Sequence, residues 1–154
     1  MRYEKLIEDF VDRTKQNLSV IIEGLLKDGV KVFETTQLIN SCLGLIVLPR
    51  EQDLQRIPKK SLKELQRHGW PIPSMNNQSD QIRDLKDMIC YLRNAIAHFN
   101  IEFTHDSHDE IDGLKLWNQE NRQSPKKRES TLTVDGLRLF VEKFSDDILQ
   151  NLKD

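Results

Sequence analysis

Cysteine is scarce in this chain, and its scarcity removes several chemistries at once. Cys42 and Cys90 have no CxxC spacing and form no disulfide framework; each falls inside an apolar helical pattern and reads as a small buried side chain. Long hydrophobic runs are missing as well. The longest, Leu43-Gly44-Leu45-Ile46-Val47-Leu48, is far short of the ~20 residues that span a bilayer, so no membrane partner is expected. A large excess of charge of one sign is also absent: the formal net charge is -2, so any contact with nucleic acid has to come from a local patch. The chain opens on no charged, apolar and cleavage-site succession, which leads to the expectation of a cytoplasmic protein. It carries no internal repeat.

What is present is a length of 154 residues, a charged fraction of 31% and a mean hydropathy of -0.61. That combination suits one domain over residues 1–154, made of helices with one buried stripe and a solvated outer face. Apolar residues at Tyr3, Ile7, Phe10, Val11, Leu18, Ile21, Ile22 and Leu25 predict a first helix to Lys27, stopped by Asp28-Gly29. A second helix, from Lys31 to Val47, carries an apolar surface wide enough for burial on two sides and ends at Pro49. Residues 50–79 read as a long loop with a short helix from Ser61, its N-cap, to Arg67. A third long helix is expected from an N-cap at Ser79, buried through Ile82, Leu85, Ile89, Leu92 and Ile96 and ending near Phe99.

Residues 101–134 read as a hairpin annex with a mobile basic loop. Ile101–Thr104 and Leu114–Trp117 alternate in the strand manner, and Thr131–Val134 adds a third short strand. The loop between, residues 119–130, is centred on Pro125-Lys126-Lys127-Arg128. A closing helix follows from Asp135, with the stripe Leu137, Phe140, Val141, Phe144, Ile148, Leu149 and Leu152.

The third helix carries the chemistry. A residue advances ~100° per step, so Asp80, Asp84, Asp87, Tyr91, Asn94 and His98 share a stripe roughly opposite the apolar one. Arg93 lies one step from Asn94, and its long stem can bring a guanidinium to the same face. Two bland readings stand beside this one: a His in the last turn of a helix is favoured by the macrodipole and caps carbonyls, and Arg93 has Asp87 and Glu102 in reach as ion-pair partners.

The run Arg93-Asn94-Ala95-Ile96-Ala97-His98, late in a long helix of a small helical chain, resembles the R-(polar)-x3-H motif of the HEPN superfamily. The resemblance is carried by the motif and by chain length and helix order; residues 50–79 and the annex bear no motif. It implies a mainly α bundle of four to five helices, and a homodimer whose motif helices meet to make one positive cleft from two Arg93 and two His98 side chains. It implies a ribonuclease needing neither metal nor other cofactor, in which the RNA 2′-OH attacks the adjacent phosphate to leave 2′,3′-cyclic phosphate and 5′-OH ends. His98 then moves protons. Arg93 binds phosphoryl oxygens and stabilises developing charge, and Asn94 orients the phosphate or the imidazole. A toxin–antitoxin or phage-defence setting, with an antitoxin or regulatory partner, follows from the same resemblance. One departure stands out: HEPN toxins paired with nucleotidyltransferase antitoxins often carry a Tyr two residues beyond the motif His, where this chain has Asn100. A non-catalytic HEPN-fold module that binds RNA, nucleotide or protein, or an antitoxin-like adaptor, is the alternative.

Further candidates have ordinary explanations. Tyr91, one turn before Asn94, suits either the cleft or a dimer seam. Lys126, Lys127 and Arg128 suit RNA phosphates or plain solvation, as do Lys59, Lys60, Lys63 and Arg67. Trp70 and Trp117 suit base stacking or the core. His105 and His108, flanking Asp106 and Asp109, admit a metal cluster or a polar hairpin tip, and the tip explains the same residues without a ligand.

Overall fold

In the computed structural model the described residues are 6–21, 34–47, 57, 59–76, 82–119, 121 and 123–151. The Tyr3 start, the Asp28-Gly29 stop, the Lys31 start, the Pro49 stop and the Ser79 cap lie outside them, as does Leu152. Among the described residues, five helices and a four-stranded antiparallel sheet make a mainly α architecture. The helices are α1 (Leu6–Ser19), α2 (Glu34–Val47), α3 (Leu62–Arg67), α4 (Leu85–Ala97) and α5 (Val134–Asn151); the strands are β1 (Ser74–Met75), β2 (Ile101–His105), β3 (Ile111–Asn118) and β4 (Lys127–Thr133). None of the helices, among the described residues, is long and apolar enough to cross a membrane.

The helical stripes converge on one core. Leu38, Ile39, Cys42, Leu45 and Ile46 of α2 meet Leu85, Met88, Ile89, Leu92 and Ala95 of α4 and Leu137, Phe140, Val141 and Phe144 of α5, all buried. Trp70 closes the cluster edge-on against Phe140, with centroids 5.7 Å apart, and Phe140 stacks on Phe144 at 5.8 Å. Packing of α1 on α2 depends on Gly44, where an added Cβ would sit 3.3 Å from Phe10 Cζ. Burial pushes the Cys42 thiol up to about 12, so it stays protonated and unreactive at neutral pH.

The sheet order is β1-β4-β3-β2, with Ile101 opposite Leu116 and Leu114 opposite Leu132. Inward Leu114, Leu116, Ser130 and Leu132 alternate with outward residues such as Glu102 and Lys115, which pair at 3.5 Å. The annex is thus larger than a hairpin. Lys127 and Arg128, expected at the centre of a mobile loop, are the first residues of β4, because β3 is long enough for Asn118 to pair with Lys127. Val134, expected in the strand, opens α5.

The starts of α3 and α4 are tied together. The N-cap of α3 is Ser61, whose hydroxyl accepts from the Glu64 amide at 3.3 Å, as its sequence position predicts. The N-cap of α4 is Asp84, which accepts from the Asp87 amide at 2.8 Å, five residues after the position expected. The Leu85 amide donates to Lys60 O at 3.0 Å and joins the two starts.

Candidate functional site

Helix α4 touches neighbours on two sides, and that decides where its polar residues go. Its core stripe faces α2, while the sheet covers a second side. Tyr91 falls under the sheet: it is 1% exposed, its hydroxyl donates to Leu116 O at 2.9 Å, and the Ser130 hydroxyl donates back to it at 2.8 Å. Burial pushes the phenol up to about 12 against the lowering effect of the Ser130 bond. The expected stripe from Asp84 to His98 is therefore split, with Tyr91 a buried anchor rather than a cleft residue.

Asp87 belongs with that anchor. Arg128 grips its carboxylate with both nitrogens, at 2.9 and 3.3 Å, and Arg83 adds its amide at 3.1 Å and Nε at 3.4 Å. Burial alone would raise the Asp87 pKa, but these bonds and the Arg128 charge outweigh it and hold the carboxyl below the usual range. Arg128 is thus committed to α4 and makes a poor phosphate ligand.

The last turn of α4 is different. Asn94 and His98 are exposed and Arg93 is half-buried; among the described residues none of the three side chains has a hydrogen-bond or ion-pair partner. Both carboxylates expected near Arg93 are engaged elsewhere, Asp87 by Arg128 and Arg83, Glu102 by Lys115. His98 is the C-cap residue through its backbone, its amide donating to Asn94 O at 3.1 Å, so the imidazole is not what closes the helix. The end of α4 thus carries an exposed amide at Asn94 and an exposed imidazole at His98, with the half-buried Arg93 one residue before Asn94.

The chain continues past His98 through Phe99, whose φ is +55° and whose side chain is 78% exposed. Asn100 then accepts from the Trp117 amide at 3.3 Å, and the Lys126 ammonium lies 3.7 Å from the centroid of the half-buried Trp117 ring. Periodicity alone misses Phe99, because it marks the residue only as the end of a helix; a bulky residue where a helix terminus usually has glycine is the signal available. The other aromatic, Trp70, is core.

At the hairpin tip Asp106 accepts from the His108 and Glu110 amides at 2.8 and 3.0 Å, which lowers its pKa and fixes the turn. Among the described residues no group of three or more His, Cys, Asp or Glu is placed to hold a metal ion. Two cavities, of about 350 Å³ beside Lys15, Leu38 and Glu142 and of about 310 Å³ between Pro71 and Gly136, include none of the motif residues.

A family model described as HEPN pEK499 p136 matches residues 1–154. The chain belongs to this HEPN family. No curated protein and no solved structure matches the chain. In the HEPN chain the residues resembling the superfamily motif, Arg93, Asn94 and His98, have no side-chain hydrogen-bond or ion-pair partner among the described residues. Tyr91 and Arg128 hold the other half of the helix in place.

Proposed function

We propose that two copies of this HEPN chain form a metal-independent endoribonuclease whose site is built from Arg93, Asn94 and His98 of each. The observation that carries the reading is the Arg93 guanidinium, half-buried yet without a counter-ion among the described residues because Asp87 and Glu102 are engaged elsewhere. A charge kept from its natural partners, one step from an exposed Asn and five from an exposed His, suits an anionic ligand such as a phosphodiester.

The chemistry follows from the groups. One imidazole takes the proton of the 2′-OH as that oxygen attacks the adjacent phosphorus; a second, protonated, gives a proton to the departing 5′ oxygen. Products are a 2′,3′-cyclic phosphate and a 5′-OH end. Arg93 holds the non-bridging oxygens and stabilises their growing charge, and Asn94 orients the phosphate. On one chain this turn is an open surface with a single imidazole. A second copy supplies both the other imidazole and the wall that excludes water. The setting we propose is a cytoplasmic toxin–antitoxin or phage-defence system with a regulatory partner, one that does not rely on a modified Tyr at position 100.

Purified protein is expected to cut single-stranded RNA in EDTA and to leave cyclic-phosphate ends, read by mass spectrometry. His98→Ala is expected to slow cleavage at least ~100-fold without moving the thermal midpoint. Equal activity of the two proteins would overturn the assignment. The open single-chain surface also suits a module that binds RNA without cutting it; retained binding by wild type with no cyclic phosphate would establish that reading instead.

A further inference from the structure

Two helices of this chain end in the same hydrogen-bonded turn, and only one ends in glycine. At the end of α3 the Gly69 amide donates to Gln66 O at 3.0 Å and the Trp70 amide to Leu65 O at 2.9 Å, with Gly69 at φ +68°. At the end of α4 the Phe99 amide donates to Ile96 O at 3.0 Å and the Asn100 amide to Ala95 O at 2.8 Å, with Phe99 at φ +55°. This is the Schellman turn both times, and its left-handed residue is disfavoured for anything with a bulky side chain. The fold gains nothing visible from the phenyl ring: it is 78% exposed, the most of any large hydrophobic residue described, and has no aromatic partner among the described residues.

Two unfavourable features, a strained backbone and a solvated ring, coincide at the residue directly after His98. Arg128 and Asp109 also have positive φ, but Arg128 is held by Asp87 and Asp109 lies in a polar turn; only at Phe99 does the strain coincide with an exposed apolar ring, and strained residues cluster at ligand sites. We infer that Phe99 is a stacking platform for an unpaired nucleobase of single-stranded RNA, next to the phosphate held by Arg93. The turn that strains Phe99 also holds it, since Asn100 is bonded both to Ala95 and to Trp117, so the ring projects from a fixed backbone. An aromatic face takes any base, and stacking requires that base to be out of a duplex; the platform selects strandedness more than sequence. The inference rests on RNA being the ligand of this turn.

Its test is run on the His98→Ala protein, so that binding is read apart from cleavage. Affinity is measured by fluorescence anisotropy for an unstructured labelled oligoribonucleotide of about ten nucleotides, and for the same oligonucleotide with abasic positions. Adding Phe99→Gly is expected to weaken binding about tenfold, with Phe99→Trp restoring it and Phe99→Leu failing to. An abasic site should weaken binding to the protein that retains Phe99 and leave binding to the Phe99→Gly variant unchanged. The Phe99→Gly variant keeps its turn, as Gly69 does in α3, and its thermal midpoint should rise. Unchanged affinity in Phe99→Gly, or full function in Phe99→Leu, overturns the platform while leaving the nuclease reading intact. Conversion of the protein to monomers by Phe99→Gly, seen by sedimentation, would make the ring a subunit contact and also overturn it. Absence of both RNA binding and cleavage in wild type would overturn the nuclease reading and the platform together.

Discussion

The two halves of α4 treat their polar residues in opposite ways. In the first half Asp84 caps the helix, Asp87 is gripped by Arg128 and Arg83, and Tyr91 is bonded to Leu116 and Ser130. In the last turn Arg93, Asn94 and His98 have side chains that make no such bonds among the described residues. Polar groups that satisfy one another hold a fold; polar groups that the fold leaves open are available to a ligand. One helix therefore carries both an anchor and the candidate site, and the division falls between Tyr91 and Arg93.

Substitutions on the two sides should separate cleanly. Tyr91→Ala empties a fully buried position and is expected to destabilise the fold by about 3–5 kcal/mol, with activity lost only as far as folded protein is lost; a fully stable variant would break the distinction. Arg93→Ala should do the reverse, lowering the proposed cleavage at least ~100-fold, or about 2.7 kcal/mol of barrier, while the proposed dimer and the thermal midpoint stay put. A monomeric or unfolded Arg93→Ala protein would assign it to the fold instead. Smaller still is Arg128→Ala, which strips Asp87 of its main partner and should destabilise by roughly 1–2 kcal/mol, read by denaturant unfolding.

That last effect has a pH signature. The folded Asp87 pKa is depressed, so the unfolded chain takes up its proton first as acid is added. The stability Asp87 contributes is present above the ordinary carboxylate pKa of ~3.9 and disappears as pH falls below it toward the folded value. Wild type should lose its advantage over Arg128→Ala in that window, and an advantage that persisted below it would show that the pair acts through something other than charge.

Much of this was legible from spacing alone. The stripes of α2 and α5, the Ser61–Arg67 helix and the β2–β3 pair follow from local periodicity and capping, and so does the exposure of Asn94 and His98. Long-range pairing was not legible. Tyr91 looks outward on a helical wheel because the wheel does not show the sheet that covers it. Lys127 and Arg128 look like loop because charged residues carry no strand signal, and they become strand only through the register of β3. The two-residue β1 exists for the same reason, as an edge on β4. The cap of α4, Asp84, competes with Ser79 in sequence and is distinguished by its bridge to Ser61, beside the bond from the Leu85 amide to Lys60 O.

The placement of β4 has a consequence for the order in which the chain is made. Tyr91 waits 39 residues for Ser130, and Asp87 waits 41 for Arg128. A growing chain emerges from its N-terminal end, so the helix bearing Arg93 and His98 is synthesised well before the strand that locks it. Contacts between such distant segments form late, after the loop separating them has closed. The end of α4 is consequently made before the strand that fixes the rest of the helix, and its rigid presentation waits for β4 to pair.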